Sequence, residues 1–482
     1  MKNIALIYVC IALTATLSPA RSAAQRADHA LASGQIAAGR VKTYADFAVE
    51  WMQEYLRIDT TNPPGNELRA ATFLKKIFDE EGIENRVFEY SPGRADIWAR
   101  VPHSGAPPRR PIVLLSHMDV VTSDATHWKV PPFSGQMVDG AIYGRGAQDM
   151  KNEGLAQLVV MVMLKREKVA LDRDVIFLGV SDEEVDGTGT DGFIEHQREL
   201  LGNAEFLINE GGENIQEAGR LKSIGVDVGE KVPYWLHVVA HGRAGHGSMP
   251  IADSAPNRLV TALNRILAYQ TPFKVLPVVE EYLREMAAHE PAARAEKFRN
   301  IRAALEDKNF QQEVTNDETL NYMLRDTISL TMMGGSAQTN VIPPEAWANL
   351  DVRLLPGEDP QKFLASLRGV VNDPNVTIEP QNAEVRAANS SATDTELYRA
   401  IQEVSAQYFP GTLVLPRLDS GYTESQRYRP LGINSYGFAP YVCTQEESDT
   451  EHGDNERIRV EEVRRGFRVL YDVVARVAAT EQ

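Results

Sequence analysis

This chain is short of cysteine, of net positive charge and of long apolar runs. Its two cysteines are Cys10 and Cys443. Cys10 falls in an N-terminal stretch with a basic start, an apolar core and small residues at Ala23 and Ala24, the pattern of a cleaved secretory leader. Loss of a leader at 1–24 leaves Cys443 alone, which excludes an intrachain disulfide, and the mature protein is expected to be secreted or periplasmic. The leader's apolar core is too short for a membrane span and no later segment is long enough, so stable membrane insertion is not expected. With 50 Lys and Arg against 67 Asp and Glu, the net charge of −17 argues against nucleic acid or an anionic membrane surface as partner. What remains is a chain of 482 residues, long enough for two domains with full cores.

What the chain does have is a series of metal-suited side chains, each just past an apolar, strand-like stretch. Ile112-Val-Leu-Leu-Ser-His117-Met-Asp119 reads as a buried strand whose period of two places His117 and Asp119 on one face. A neutral imidazole is a good zinc ligand, and a carboxylate beside it can hold the ring in the ligating tautomer; a polar cap to the sheet is the plainer alternative. Gly144-Arg-Gly-Ala-Gln-Asp149 is a glycine-bearing loop leading into an apolar helical segment, Leu155 to Leu164, where Asp149 is either a ligand or an N-cap. Asp174 to Glu184 is a second buried strand, ending in the adjacent carboxylates Glu183 and Glu184. Like charges placed together need a compensating cation or a large pKa shift. Glu205 to Glu210 repeats the pattern. Strands alternating with helices imply an α/β fold with a mostly parallel sheet covered by helices, and in such sheets ligands bind beyond the carboxyl ends of the strands. Every one of these candidates falls at such an end or at the start of a helix.

The alternation runs from about residue 44 to 229. The pattern then changes to a strand at Tyr234–Ala240, a loop with His246, a helix near 255–268, hairpin strands at 326–332 and 346–353, a helix at 360–370 and a strand at 376–380. That β-α-β-β-α-β order is ferredoxin-like, so residues 230–384 are expected to be an inserted α+β lid or dimerisation domain within a catalytic domain made of 44–229 and 385–482. Residues 278–325, polar and rich in Glu, Ala, Arg and Leu, read as a helical insertion in the smaller domain, most simply a solvated scaffold, otherwise a substrate lid or subunit contact.

In order along the chain, Ser116-His117-Met-Asp119, Gly144-Arg-Gly-Ala-Gln-Asp149-Met-Lys151, Asp182-Glu183-Glu184, Asn209-Glu210-Gly-Gly, Gly245-His246-Gly-Ser-Met-Pro250, Thr339-Asn340-Val-Ile-Pro343 and His452-Gly-Asp-Asn455-Glu456 resemble the di-zinc aminoacylase/carboxypeptidase family of the MH clan. The resemblance covers the chain from about residue 44 to its end. It implies two zinc ions per subunit, with cobalt or manganese as alternatives: Asp149 bridges them, His117 and Glu210 complete one site, and Glu184 and His452 the other. It further implies Glu183 as general base, Asp119 as support for His117, and His246, on the smaller domain, as the group that polarises the scissile carbonyl. Asn340, Arg353 and Thr423 match positions that hold the substrate and its carboxylate in relatives. A homodimer through the smaller domain is also implied, with His246 serving its own subunit's site or a partner's.

One stretch departs from the pattern. In Asp419-Ser-Gly-Tyr422-Thr423-Glu424, Tyr422 and Glu424 stand where relatives commonly have glycine and aspartate, which leaves the role of Thr423 and the pocket size open. The expected activity is hydrolysis of the amide bond of small peptides or N-acyl amino acids, releasing a C-terminal amino acid. A dipeptidase or small-metabolite deacylase is the alternative. A non-catalytic peptide-binding protein on the same fold would have lost a ligand or the base, and here all are present.

Overall fold

The structure, a computed structural model, describes residues 31–105, 108–212, 214–217, 219–221, 223–381 and 389–480. The leader expected at 1–24 and the boundary expected at 384–385 lie outside the described residues. No helix among the described residues is long and apolar enough to cross a membrane.

Apolar β-type runs form the larger sheet. Its eight strands lie in the order Glu84–Ser91, Arg94–Val101, Arg173–Val180, Arg109–His117, Phe206–Asn209, Asn434–Gly437, Ser223–Glu230 and Leu413–Asp419. The four central strands, Arg173–Val180 to Asn434–Gly437, run parallel. Along Arg109–His117, Ile112 and Leu114 enter the core on one face while Val113 and Leu115 enter the core on the other, which is why the run is apolar without alternation. Helix Lys151–Arg166 is buried on nearly every side from Lys151 to Leu164, packed between the strands and the helices Ala38–Leu56 and Val460–Ala478.

The smaller sheet follows the expected ferredoxin-like pattern. Val376–Pro380, Leu236–His241, Glu345–Leu354 and Thr327–Gly334 pair antiparallel in that order. Helices Ala255–Ala268 and Pro360–Val371 cover one face of it. Strand Glu345–Leu354 alternates, with Ala346, Ala348, Leu350, Val352 and Leu354 buried and Arg353 on the other face.

The insertion corrects one expectation. Helices Pro277–Met286, Ala292–Arg299, Lys308–Asn316 and Glu318–Leu324 do not form a solvated scaffold on the smaller domain. Val279, Leu283, Phe298, Ile301, Phe310, Val314 and Leu324 are buried in the core of the larger domain. The polar composition hid an apolar stripe on each short helix.

Candidate metal and active site

The candidate ligands converge because neighbouring parallel strands end together. His117, the last residue of its strand, pairs in register with Val180, so the chain leaving Val180 carries Glu183 and Glu184 past it. Glu210 follows Asn209 at the next strand end. The chain then turns through Gly211 and Gly212, both at positive φ, and a Cβ on Gly212 would lie 2.5 Å from the carbonyl oxygen of Gly225. Only glycine fits that turn.

Asp149, just before helix Lys151–Arg166, stands at the centre. Its Oδ1 is 2.9 Å from His117 Nε2 and its Oδ2 is 2.7 Å from His452 Nε2. Outside these, Glu210 Oε2 lies 3.4 Å from His117 Nε2, and Glu184 Oε2 lies 3.3 Å from His452 Nε2. The five side chains thus form a row in which each imidazole nitrogen sits between two carboxylates. Glu183 stands beside the row, its carboxylate within 4.8 Å of ligand atoms of His117 and Glu210.

The charges in this row conflict. Burial pushes the Glu183 carboxyl well above its usual range, and Glu424, Asp149 and Glu184 add to the effect. Burial likewise raises Glu210. Burial disfavours charge on His117, but Glu210, Asp119 and Asp149 outweigh it and hold the ring well above its ordinary value. Asp149 is lowered despite its burial, because both imidazoles face it. Hydrogen bonds to Asp149 and Glu184 raise His452 to about 10. One further oxygen, Glu184 Oε1, is buried with no hydrogen-bond partner among the described residues. Imidazole and carboxylate donors crowded in this way, with no thiolate, fit divalent cations of the zinc, cobalt or manganese kind.

Asp119 supports the site differently from expectation. The backbone carbonyl of Asp119, at 3.0 Å, accepts from His117 Nδ1, whereas the carboxylate is 3.6 Å away. A proton on Nδ1 leaves Nε2 as the ligating nitrogen. The carboxylate instead accepts the backbone N–H groups of Glu183 and Glu184, each at 3.1 Å, and the Asn62 amide at 2.8 Å. Asn62 also donates to Asp182 at 2.9 Å. Nothing local in Thr60-Thr-Asn62-Pro-Pro signals a partner so distant along the chain.

A cavity of about 610 Å³ opens onto the row, and Asp149, Glu183, Glu184, Glu210, Tyr422, Thr423 and His452 line it. Arg417 is the lone Lys or Arg among its described lining residues. Thr423 does not offer a free hydroxyl to a ligand. Its N–H and Oγ1 both donate to the buried Glu230, at 3.1 and 3.0 Å. Glu424 is fully buried and accepts from Asn209 Nδ2 at 2.9 Å, a contact sequence reasoning also missed.

The structure does not bring His246, Asn340 or Arg353 into this cavity. His246 is exposed on a two-residue strand paired with Val341–Ile342, which sets Gly247 N on the Asn340 carbonyl at 2.8 Å. Arg353 forks onto Asp351 of its own strand, at 2.8 and 3.1 Å. The five expected ligands, Glu183, Asp119 and Thr423 are therefore together, and the three smaller-domain residues are apart from them.

Known proteins resemble the chain in sequence and in fold. The sequence model described as peptidase family M20/M25/M40 matches residues 113–476. The chain is 28% identical over 376 residues to human N-fatty-acyl-amino acid synthase/hydrolase PM20D1, covering 76% of this chain and 74% of that protein. It is 27% identical over 436 residues to rat aminoacylase-1A, covering 90% and 95%. The crystal structure of human carnosine dipeptidase 1 shares the fold, with a TM-score of 0.65 at 15% identity, over 91% of this chain and 97% of that one.

Proposed function

The chain belongs to peptidase family M20/M25/M40 and is a hydrolase, and on that premise we propose that it is a two-zinc enzyme that releases the C-terminal amino acid from N-acyl amino acids or peptides. The observation that carries the reading is the row centred on Asp149, which faces both imidazoles with its two oxygens. Asp149 would be shared between two cations, with His117 and Glu210 completing one site and Glu184 and His452 the other. Bound there, the cations would acidify a water and polarise a substrate carbonyl. Glu183 lines the cavity and, in this reading, stands outside both sets of ligands. Its carboxylate takes the proton of the attacking water and returns it to the nitrogen of the departing amine.

His246 supplies the remaining donor. Its Nδ1 accepts the backbone N–H of Ser248 at 3.1 Å, so the neutral ring carries its proton on Nε2 and can donate it to a developing oxyanion. The smaller domain, of the same subunit or of a partner, has to approach the cavity for this, bringing Asn340 and Arg353 with it. The reading includes a homodimer through the smaller domain, favoured by the exposed Met249, Met333 and Val341; light scattering that finds monomer at every concentration would remove that part.

The relatives named for acting on N-acyl amino acids favour that substrate class. The test is turnover of purified protein on N-acyl amino acids, on the same compounds with the carboxylate amidated, and on free dipeptides. Turnover that falls on amidation supports the reading. An obligatory free α-amino group in the best substrate overturns it in favour of a dipeptidase.

A further inference from the structure

We propose that Glu456 is a positioning residue that fixes the loop carrying Asp149 and ties it to the loop carrying His452. The proposal rests on the metal-site reading above. Glu456 is fully buried and does not line the cavity, so it acts only through its neighbours. Its Oε2 accepts Arg145 Nη1 at 2.5 Å and the N–H of Gly146 at 3.0 Å, and its Oε1 accepts the N–H of Gln148 at 2.7 Å and of Asp149 at 3.2 Å. Four donors thus converge on one carboxylate, and three of them are the backbone of the Asp149 loop. Arg145 closes the arrangement from the other side, donating through Nη2 at 2.9 Å to the carbonyl of Gly453, the residue after His452. Gln148 Nε2 adds a bond to the Arg457 carbonyl at 2.7 Å, and Gly144 N one to the Glu456 carbonyl at 3.0 Å.

Asp149 can reach both imidazoles only if its backbone is held at one depth between the strand end at His117 and the loop at His452. The clamp sets that depth. It also explains why the position calls for an acid. All four partners are donors, so a glutamine would turn its NH₂ group against two of them. An aspartate would be too short to reach both the arginine and the loop.

Glu456→Gln is the test, with Arg145→Lys as a second variant that keeps the charge but loses the fork reaching Glu456 and Gly453 together. In chelator, backbone hydrogen exchange over residues 144–149 is expected to accelerate roughly tenfold or more while strand Arg109–His117 exchanges as in the parent. Zinc affinity of the stripped protein, by calorimetry, is expected to fall about 10- to 100-fold, the usual effect of losing a residue that orients a ligand. At saturating zinc, kcat should drop while KM stays within about twofold. The proposal is overturned if exchange over 144–149 and zinc affinity stay within about twofold of the parent, or if exchange accelerates equally throughout the chain. If Glu456→Gln does not fold, Arg145→Lys must give the same changes in smaller measure, and parent-like exchange in it is equally fatal. A parent protein that binds no divalent cation would sink the metal reading, and the exchange comparison would still decide the clamp.

Discussion

Glu183 and Glu184 are adjacent in sequence yet sharply different in situation. Glu184 faces His452 at 3.3 Å, while Glu183 makes no side-chain hydrogen bond to any described residue and stands in the cavity beside the row. That separation is set by Asp119, whose two oxygens take one backbone N–H each. Glu183→Gln is therefore expected to keep both zinc ions and to lose about 10²–10⁴-fold in kcat, the usual range for a general base; a variant that turns over within tenfold of the parent would remove Glu183 from that role. A second titrating group bears on stability rather than chemistry. Burial raises the Asp96 carboxyl to about 7, against the pull of its bonds from Ser181 N and Oγ. A folded value above the ordinary 3.8 means the proton is held more tightly in the folded state. The associated stability is fully present below about pH 4 and is lost as pH rises through about 7, on the order of 4 kcal/mol at most. Asp96→Asn, whose carbonyl can keep both Ser181 bonds, should melt higher relative to the parent at pH 8 than at pH 5. An equal difference at the two pH values would show that Asp96 does not titrate in this way.

At the scale of elements, the site is where three strand ends, at His117, Val180 and Asn209, meet the loops that carry Asp149 and His452. The strand ends were legible in the sequence, because an apolar run of β-type residues closing on His117, Glu184 or Glu210 declares both the strand and its polar terminus. The order of the smaller domain's elements was legible for the same reason. What could not be read was anything that depends on partners distant in sequence. Thr423 spends its hydroxyl on Glu230, Asn62 reaches Asp119 and Asp182, and Glu456 grips the Asp149 loop; no local pattern encodes these contacts. The insertion failed for another reason. Composition counts letters and not faces, so helices such as Pro277–Met286, with Val279 and Leu283 on one stripe, pass as solvated. Phe298 buries its ring in the larger core, and Phe298→Ala is expected to cost about 3–5 kcal/mol in denaturant unfolding. A cost below about 1 kcal/mol would return the insertion to the role of an exposed appendage.

At the scale of the molecule, the chemistry is divided between two domains with separate cores. On the proposed function the larger one would hold the cation ligands and the base, while His246, Asn340 and Arg353 lie on the smaller one outside the cavity. If His246 serves the site as proposed, from its own subunit or a partner's, His246→Ala should lower kcat by about 10²–10³-fold, as loss of one oxyanion donor does, without changing zinc content. Parent-like kcat would mean that the oxyanion is held from the larger domain alone. Zinc itself should raise the melting temperature of stripped protein, since a ligand bound only by the folded state stabilises it by mass action.

The most direct test of the account is to measure bound metal and turnover of an N-acyl amino acid on the same preparation, before stripping with chelator and after zinc is returned. The account predicts about two zinc ions per chain, turnover lost on stripping and recovered with the second ion. Full turnover by metal-free protein, or protein that neither binds zinc nor turns over once zinc is restored, would contradict it.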